Sequence, residues 1–145
     1  MRFMLLLKGD PQPAEGTTLA APPEELIGAM LRYSEELTKA GVLLAAEGLD
    51  PSANGARVVY KTGKRTVVDG PFAEAKELIA GFYLIQVKSM EEAIEWAKRC
   101  PVEYAVSGDT EAVVEIRRVA DADEIPTITD ELIAKEKDLR ARREG

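Results

Sequence analysis

The chain contains no histidine. Imidazole is the one side chain whose ordinary pKa places its charge change near neutrality. Its absence removes imidazole acid–base chemistry, Ser–His and Cys–His nucleophilic pairs, and His-ligated metal sites. There is a single cysteine, Cys100. It allows no disulfide within the chain and fits a reducing compartment. No stretch approaches the about 20 apolar residues of a membrane span, so no membrane partner is expected. The apolar run from Phe3 to Leu7 is short and meets Lys8 and Asp10 at once. A secretory signal needs a longer apolar region and a small-residue cleavage site, so a cytoplasmic location is expected. The phosphate-cradling loops GxxxxGKS/T and GxGxxG are missing, as are CxxC and HExxH. Neither a cofactor nor a metal is therefore expected. Basic residues are outnumbered, 19 against 26 acidic, for a net charge of −7. That balance argues against a general basic face for nucleic acid. The basic clusters Arg117–Arg118 and Arg140 to Arg143 sit in acidic company and read as solvated faces.

Hydrophobic residues make up 46% of the 145 positions, enough for a packed core in one domain. Phe3 to Leu7 reads as a buried strand. Pro22-Pro23-Glu24-Glu25 opens a helix, with proline at its first position and acids at its positive end. Leu26, Met30, Tyr33 and Leu37 recur on one face, and Gly41 is the expected stop. Val42 to Ala46 reads as a second buried strand. Arg57–Lys61 and Arg65–Val68 alternate in polarity around Thr62-Gly63-Lys64, which reads as a hairpin. After Asp69-Gly70-Pro71-Phe72, residues 73–78 could form one or two helical turns. Gly81 to Val87 is the next strand. Ser89 and Glu92 form a capping box for a helix with an apolar stripe through Met90, Ala93, Ile94, Ala97 and Cys100. Residues 111–119 form the last strand. An acidic linker, Asp121 to Pro126, then leads to Thr129, which caps a final helix.

Without the hairpin and the final helix the order is βαββαβ, the ferredoxin-like split unit. The expected class is α+β, with an antiparallel sheet covered on one face by helices. Phe3–Leu7, Val42–Ala46 and Phe82–Ile85 are apolar on both faces, which leaves the second sheet face needing a cover. A homodimer packed sheet on sheet supplies one and encloses a cleft for a small molecule. The alternative cover is the final helix, whose apolar content is thin.

Asp69-Gly70-Pro71-Phe72-Ala73-Glu74-Ala75-Lys76-Glu77, followed by Gly81-Phe82-Tyr83-Leu84-Ile85, resembles the signature of the DGPF group within the YCII-related family. Arg2-Phe3-Met4-Leu5-Leu6 with Gly9-Asp10, Gly41-Val42-Leu43 with Glu47-Gly48-Leu49, and Ala93-Ile94-Glu95-Trp96-Ala97 before Pro101 fit the same pattern. The resemblance covers residues 1–119 and leaves 120–145 as an extension. It implies a ferredoxin-like domain that dimerises into an α/β-barrel-like assembly, and it implies no established activity. Some relatives occur with extracytoplasmic-function sigma factors, which makes a sigma-linked protein partner one expectation. A His–Asp pair known from other YCII-like members has no counterpart here. Ala75 also replaces the commoner Thr before the Lys.

The candidate ligand-binding residues are Asp10, Glu47, Asp69, Phe72 and Tyr83. Asp69 and Glu47 are the catalytic candidates, as carboxylate acid–base groups. Each has a plainer reading beside it. Asp69-Gly70-Pro71-Phe72 meets all the needs of a turn: Asp69 bonds backbone, Gly70 can take a positive φ, Pro71 fixes the next φ, and Phe72 anchors into the core. Glu47 and Asp10 can be strand ends reaching water, or, together with Asp69, members of an acid cluster that takes a cation or an amine. Tyr83 can be a core or interface aromatic. Cys100, at a helix C-terminus where the dipole disfavours a thiolate, reads as inert core, and Trp96 as a packing residue. Three functions follow as expectations: a homodimeric small-molecule-binding domain, a carboxylate-dependent enzyme, and a protein-interaction module.

Overall fold

Alternation along the first strand decides which way the sheet faces. In a computed structural model of the chain, which describes residues 1–10, 24–105 and 111–145, β1 spans Arg2–Lys8. Phe3 and Leu5 are fully buried, whereas Met4 and Leu6 are half-buried on the opposite side. The helix α1 spans Glu24–Lys39. Its Tyr33 and Leu37 are buried, with Met30 packed beside them. The double proline expected to open α1, and the loop before it, lie outside the described residues. Gly41 ends the helix with a φ of +73°, a conformation that costs glycine little.

The second strand, β2, spans Leu43–Gly48. A separate ribbon follows, with β3 at Ala56–Lys61 and β4 at Lys64–Asp69. Its connecting residues Thr62 and Gly63 both have positive φ, 50° and 77°. This is the handedness a two-residue hairpin turn needs to match strand twist, so Lys64 belongs to the strand rather than the turn. The expected helical turns in 73–78 reduce to a 3-10 turn at Ala75–Glu77. β5 spans Ile79–Gln86 and α2 spans Met90–Lys98. The capping box forms: Ser89 Oγ accepts from the Glu92 N–H at 3.2 Å, and Glu92 Oε2 accepts from the Lys88 N–H at 2.9 Å. β6 spans Val114–Arg118, and α3 spans Asp130–Glu144, capped by Thr129 Oγ1 on the Leu132 N–H at 3.2 Å.

The sheet order is β2-β5-β1-β6, antiparallel throughout. β1 and β2 therefore run parallel with β5 between them. This is the ferredoxin-like arrangement in a mixed α+β fold. The helices α1 and α2 share one face of the sheet. There Phe3, Leu5, Tyr83, Ile85 and Val87 meet Tyr33, Leu37, Ala93 and Cys100. The Tyr33 hydroxyl donates to the Trp96 carbonyl at 2.6 Å, and its ring meets Tyr83 edge-on at 5.1 Å. One side chain of α1 thus ties α2 to β5. An aromatic pair of this kind contributes about 0.5–1.5 kcal/mol beyond the area it buries.

One expectation is corrected. β2 is not a buried strand but an edge strand, with no fully buried residue. Among the described residues it pairs only with β5, and the register slips between Leu43 and Ala45. That bulge throws Leu44 out to 48% exposure. Among the described residues no helix is long and apolar enough to cross a membrane.

Leu37 has no exposed surface and sits at the centre of the core, whereas Leu44 is half exposed. Leu37→Ala should therefore cost about 2–5 kcal/mol, and Leu44→Ala less than about 1 kcal/mol, by urea denaturation. Equal losses would contradict the edge placement of β2.

Candidate functional site

The Asp-Gly-Pro-Phe string closes a knot at the end of β1. Asp10 lies just beyond that strand, after Gly9, whose N–H donates to the Leu78 carbonyl at 3.0 Å. The Asp10 carboxylate accepts the Ser52 backbone N–H at 2.7 Å and also the Ser52 hydroxyl. Ser52 opens a 3-10 turn, Ser52–Asn54. Its Oγ in turn accepts the Phe72 N–H at 3.1 Å. The Gly70 N–H donates to the Gly55 carbonyl at 2.9 Å, and the Gly70–Pro71 peptide is cis. Arg57 of β3 lays its guanidinium over the Phe72 ring, 3.8 Å from the centroid, a cation–π contact. Three segments distant in sequence are thus joined through one serine.

Glycine at 70 is required for a different reason from the one its turn chemistry implies. Its φ is not positive. A Cβ there would lie 1.7 Å from the Ser52 carbonyl oxygen, so the constraint is close approach of two backbones.

Strand register places the other candidates. Glu47, Phe82, Leu6 and Glu115 form one row across β2, β5, β1 and β6. Ala45, Leu84, Met4 and Arg117 form the next. Both rows lie on the face opposite α1 and α2, because their neighbours Ala46, Tyr83, Leu5 and Ile116 belong to the helix-side core. The open face therefore has a half-buried apolar centre, carboxylates flanking one row and a guanidinium beside the other. The C-terminal end of α3 approaches this face. Arg140 and Glu144 line an open cavity of about 580 Å³ together with Arg2, Leu44, Leu84 and Gln86.

The five candidate residues divide accordingly. Asp10 and Phe72 meet through Ser52. Asp69 ends β4 opposite Ala56 and is exposed. Glu47 is exposed on the open face. Tyr83 is buried on the helix side, its hydroxyl 3.5 Å from the carbonyl and the sulfur of Met30; burial raises its pKa above the usual phenol value. A carboxyl acid or base is tuned by dry surroundings, and both Asp69 and Glu47 reach solvent in the single chain. Ser52 and Arg57 were not singled out by their residue types. Pro51 and Asn54-Gly55 mark a turn around Ser52, but nothing local marks its partner forty-two residues earlier.

Two further groups carry perturbed chemistry. Arg118 holds Glu124 through two hydrogen bonds, at 2.6 and 2.8 Å, and lowers its carboxyl to about 2. Asp121 and Asp123 lie close to Glu124, but Asp121 pairs with Arg2 at 3.1 Å. The cluster thus behaves as an ion-pair network at the surface. Burial, with help from the Glu103 charge, pushes the Cys100 thiol up to about 12.

A one-sided antiparallel sheet with a turn knot at one end defines the class of protein: an α+β domain of ferredoxin-like topology. The model of the YCII-related domain matches residues 1–123, and the chain belongs to that family. An uncharacterized protein of Rhizobium meliloti (strain 1021) is 35% identical over 75 residues, 52% of this chain and 60% of that protein. The chain thus matches about three fifths of that relative's length.

Gly70→Ala should destabilise the fold by about 1–3 kcal/mol through overpacking on Ser52, and Ser52→Ala by about 1–3 kcal/mol through lost hydrogen bonds, both read from urea midpoints; a silent Gly70→Ala would remove the close-approach argument. Only a thiolate attacks a disulfide reagent, so Cys100 in native protein at pH 8 should be labelled far more slowly than in urea. Because the folded pKa lies above the ordinary 9.0, the unfolded chain loses this proton first. Its contribution to stability is intact below pH 9 and is lost as pH rises toward 12. Equal labelling rates would contradict the buried placement.

Proposed function

We propose that this chain, a DGPF-group member of its family, is a small-molecule-binding domain that works as a homodimer. The observation that carries the reading is the row Glu47–Phe82–Leu6–Glu115 on the face of the sheet opposite α1 and α2. An apolar floor bounded by carboxylates suits a small organic molecule with an apolar body and an amine or other cationic end. Glu47 and Glu115 meet the cation, and Phe82 and Leu84 form the floor. Asp69 and Phe72 form the rim, with Asp10 holding that rim in place through Ser52. Tyr83 supports the floor from beneath.

A second copy packed on this face completes the cleft. The half-buried Met4, Leu6, Phe82 and Leu84 favour such a cover. The competing cover is α3, but it has no buried residue of its own, so it gains little by lying there. The expected setting is the cytoplasm.

Native mass spectrometry of freshly purified full-length protein tests this directly. The expected species is a dimer carrying an additional small-molecule mass, and Leu6→Glu should lower both dimer and adduct. A bare dimer would count against the ligand. A monomer at micromolar concentration would defeat the cleft altogether.

A further inference from the structure

The α3 helix meets the body of the protein by a largely polar row. Ile133, Glu136 and Arg140 are its half-buried positions, and every other residue of Asp130–Glu144 is exposed. Their spacing of three and four puts them on one helix face. At the C-terminal end of α3, Arg140 and Glu144 line one cavity together with the apolar side chains of Leu44 and Leu84. Charged side chains cannot close directly on an apolar floor without losing their hydration unpaired, and a space of about 580 Å³ stays open between the two walls. Small-molecule sites ordinarily have volumes of this order. The bulge in β2 serves the same cavity. It turns Leu44 out of the strand's alternation, and that side chain becomes part of the floor.

The charged wall selects the occupant. Arg2 Nη2 donates to Asp121 at 3.1 Å, and Arg140 donates through Nε and Nη2 to Glu136 Oε1 at 3.1 and 2.7 Å. Each guanidinium is thereby fixed in place, and the Nη1 donors of both remain for a further acceptor. Both are sheltered, with side chains 23% and 37% exposed. Gln86 adds an amide beside them. Among the described residues Glu144 is the lining carboxylate without a cation partner. It stands at the C-terminal end of α3, where the last carbonyls also favour a positive charge. Arg2 and Arg140 are thus balanced by Asp121 and Glu144 around the cavity. Such a lining suits a molecule that carries both charges at one end and an apolar body at the other.

We infer that this cavity binds a free α-amino acid with an apolar side chain. Its carboxylate accepts from Arg2 and Arg140, its ammonium meets Glu144, and its side chain lies on Leu44 and Leu84. Arg140 and Glu144 lie beyond the residues 1–123 that the family's model matches, so the site is assembled by the C-terminal extension on the family's domain. It adjoins the open sheet face through Leu84 but is built within one chain. It needs neither a second copy nor the Glu47–Phe82–Leu6–Glu115 row. Bridging the two walls also ties down α3, which has no buried residue of its own.

Isothermal titration of the full-length protein tests the site with L-leucine and its two one-ended analogues. These are 4-methylpentanoate, which lacks the ammonium, and 3-methylbutylamine, which lacks the carboxylate. L-leucine should bind at millimolar concentration or below, and each analogue at least about tenfold more weakly. Arg140→Ala should weaken L-leucine about tenfold and so erase its advantage over 3-methylbutylamine. Glu144→Gln should erase its advantage over 4-methylpentanoate. Circular dichroism checks that each variant folds. Bound L-leucine should also slow amide hydrogen exchange over Asp130–Glu144. No binding of L-leucine, an analogue that binds as well, or an affinity untouched by Arg140→Ala overturns the site. Leu6→Glu, which lies outside the cavity, separates this site from the dimer cleft. It should leave L-leucine binding intact, and a loss would put the molecule in the cleft and overturn the assignment. A monomeric wild type that binds L-leucine keeps this site while the cleft falls.

Discussion

Burial of one face of the central strand pair against two helices is the constraint from which the rest follows. β1 and β5 send Phe3, Leu5, Tyr83 and Ile85 to the same side, where Tyr33, Leu37 and Ala93 meet them. A strand that alternates must then send Met4, Leu6, Phe82 and Leu84 to the other side. Their apolar character cannot be used by the helices. The position of the open face derives from this one choice of sides; the parallel run of β1 and β2, and the shared end at which Asp10 and Gly48 emerge, follow from both strands pairing antiparallel with β5.

The Asp-Gly-Pro-Phe string gains its meaning from that geometry. Read alone it is a turn, and it is a turn. Its purpose in the fold is to bring the end of the ribbon against the end of β1, with Ser52 as the joint and Gly70 as the clearance. The Phe72 ring then supports Arg57 at the base of β3. The ribbon is thus attached by its base, and the face that carries Val58, Tyr60 and Val67 is left exposed.

Much of the local structure was legible because it depends on neighbours in sequence. The Ser89 box, the Thr129 cap and the Gly41 stop are all short-range chemistry, and each forms where its residues imply; the hairpin forms as well, with Lys64 in its second strand rather than in the turn. The edge position of β2 was not legible. Val42 to Ala46 is as apolar as a buried strand, and only the sheet order shows that, among the described residues, one of its flanks has no neighbouring strand. The Asp10–Ser52–Phe72 chain was equally hidden, since its members are separated by long stretches of chain and none is unusual in its own setting. Tyr83 could be read as core or as cleft because a strand residue flanked by apolar neighbours gives no hint of its side. Register with Leu5 and Ala46 decides it.

By itself, then, the sequence determined element types, the order of the split unit and the chemistry that is unavailable without histidine. These depend on composition, periodicity and contacts within a turn or two. Tertiary structure alone decided which strand is the edge, which side each aromatic faces, and which carboxylates are engaged by backbone or guanidinium. Those are matters of pairing between distant segments. Local residue preferences cannot specify such pairing, because the free energy that selects it comes from burying one whole sheet face at once.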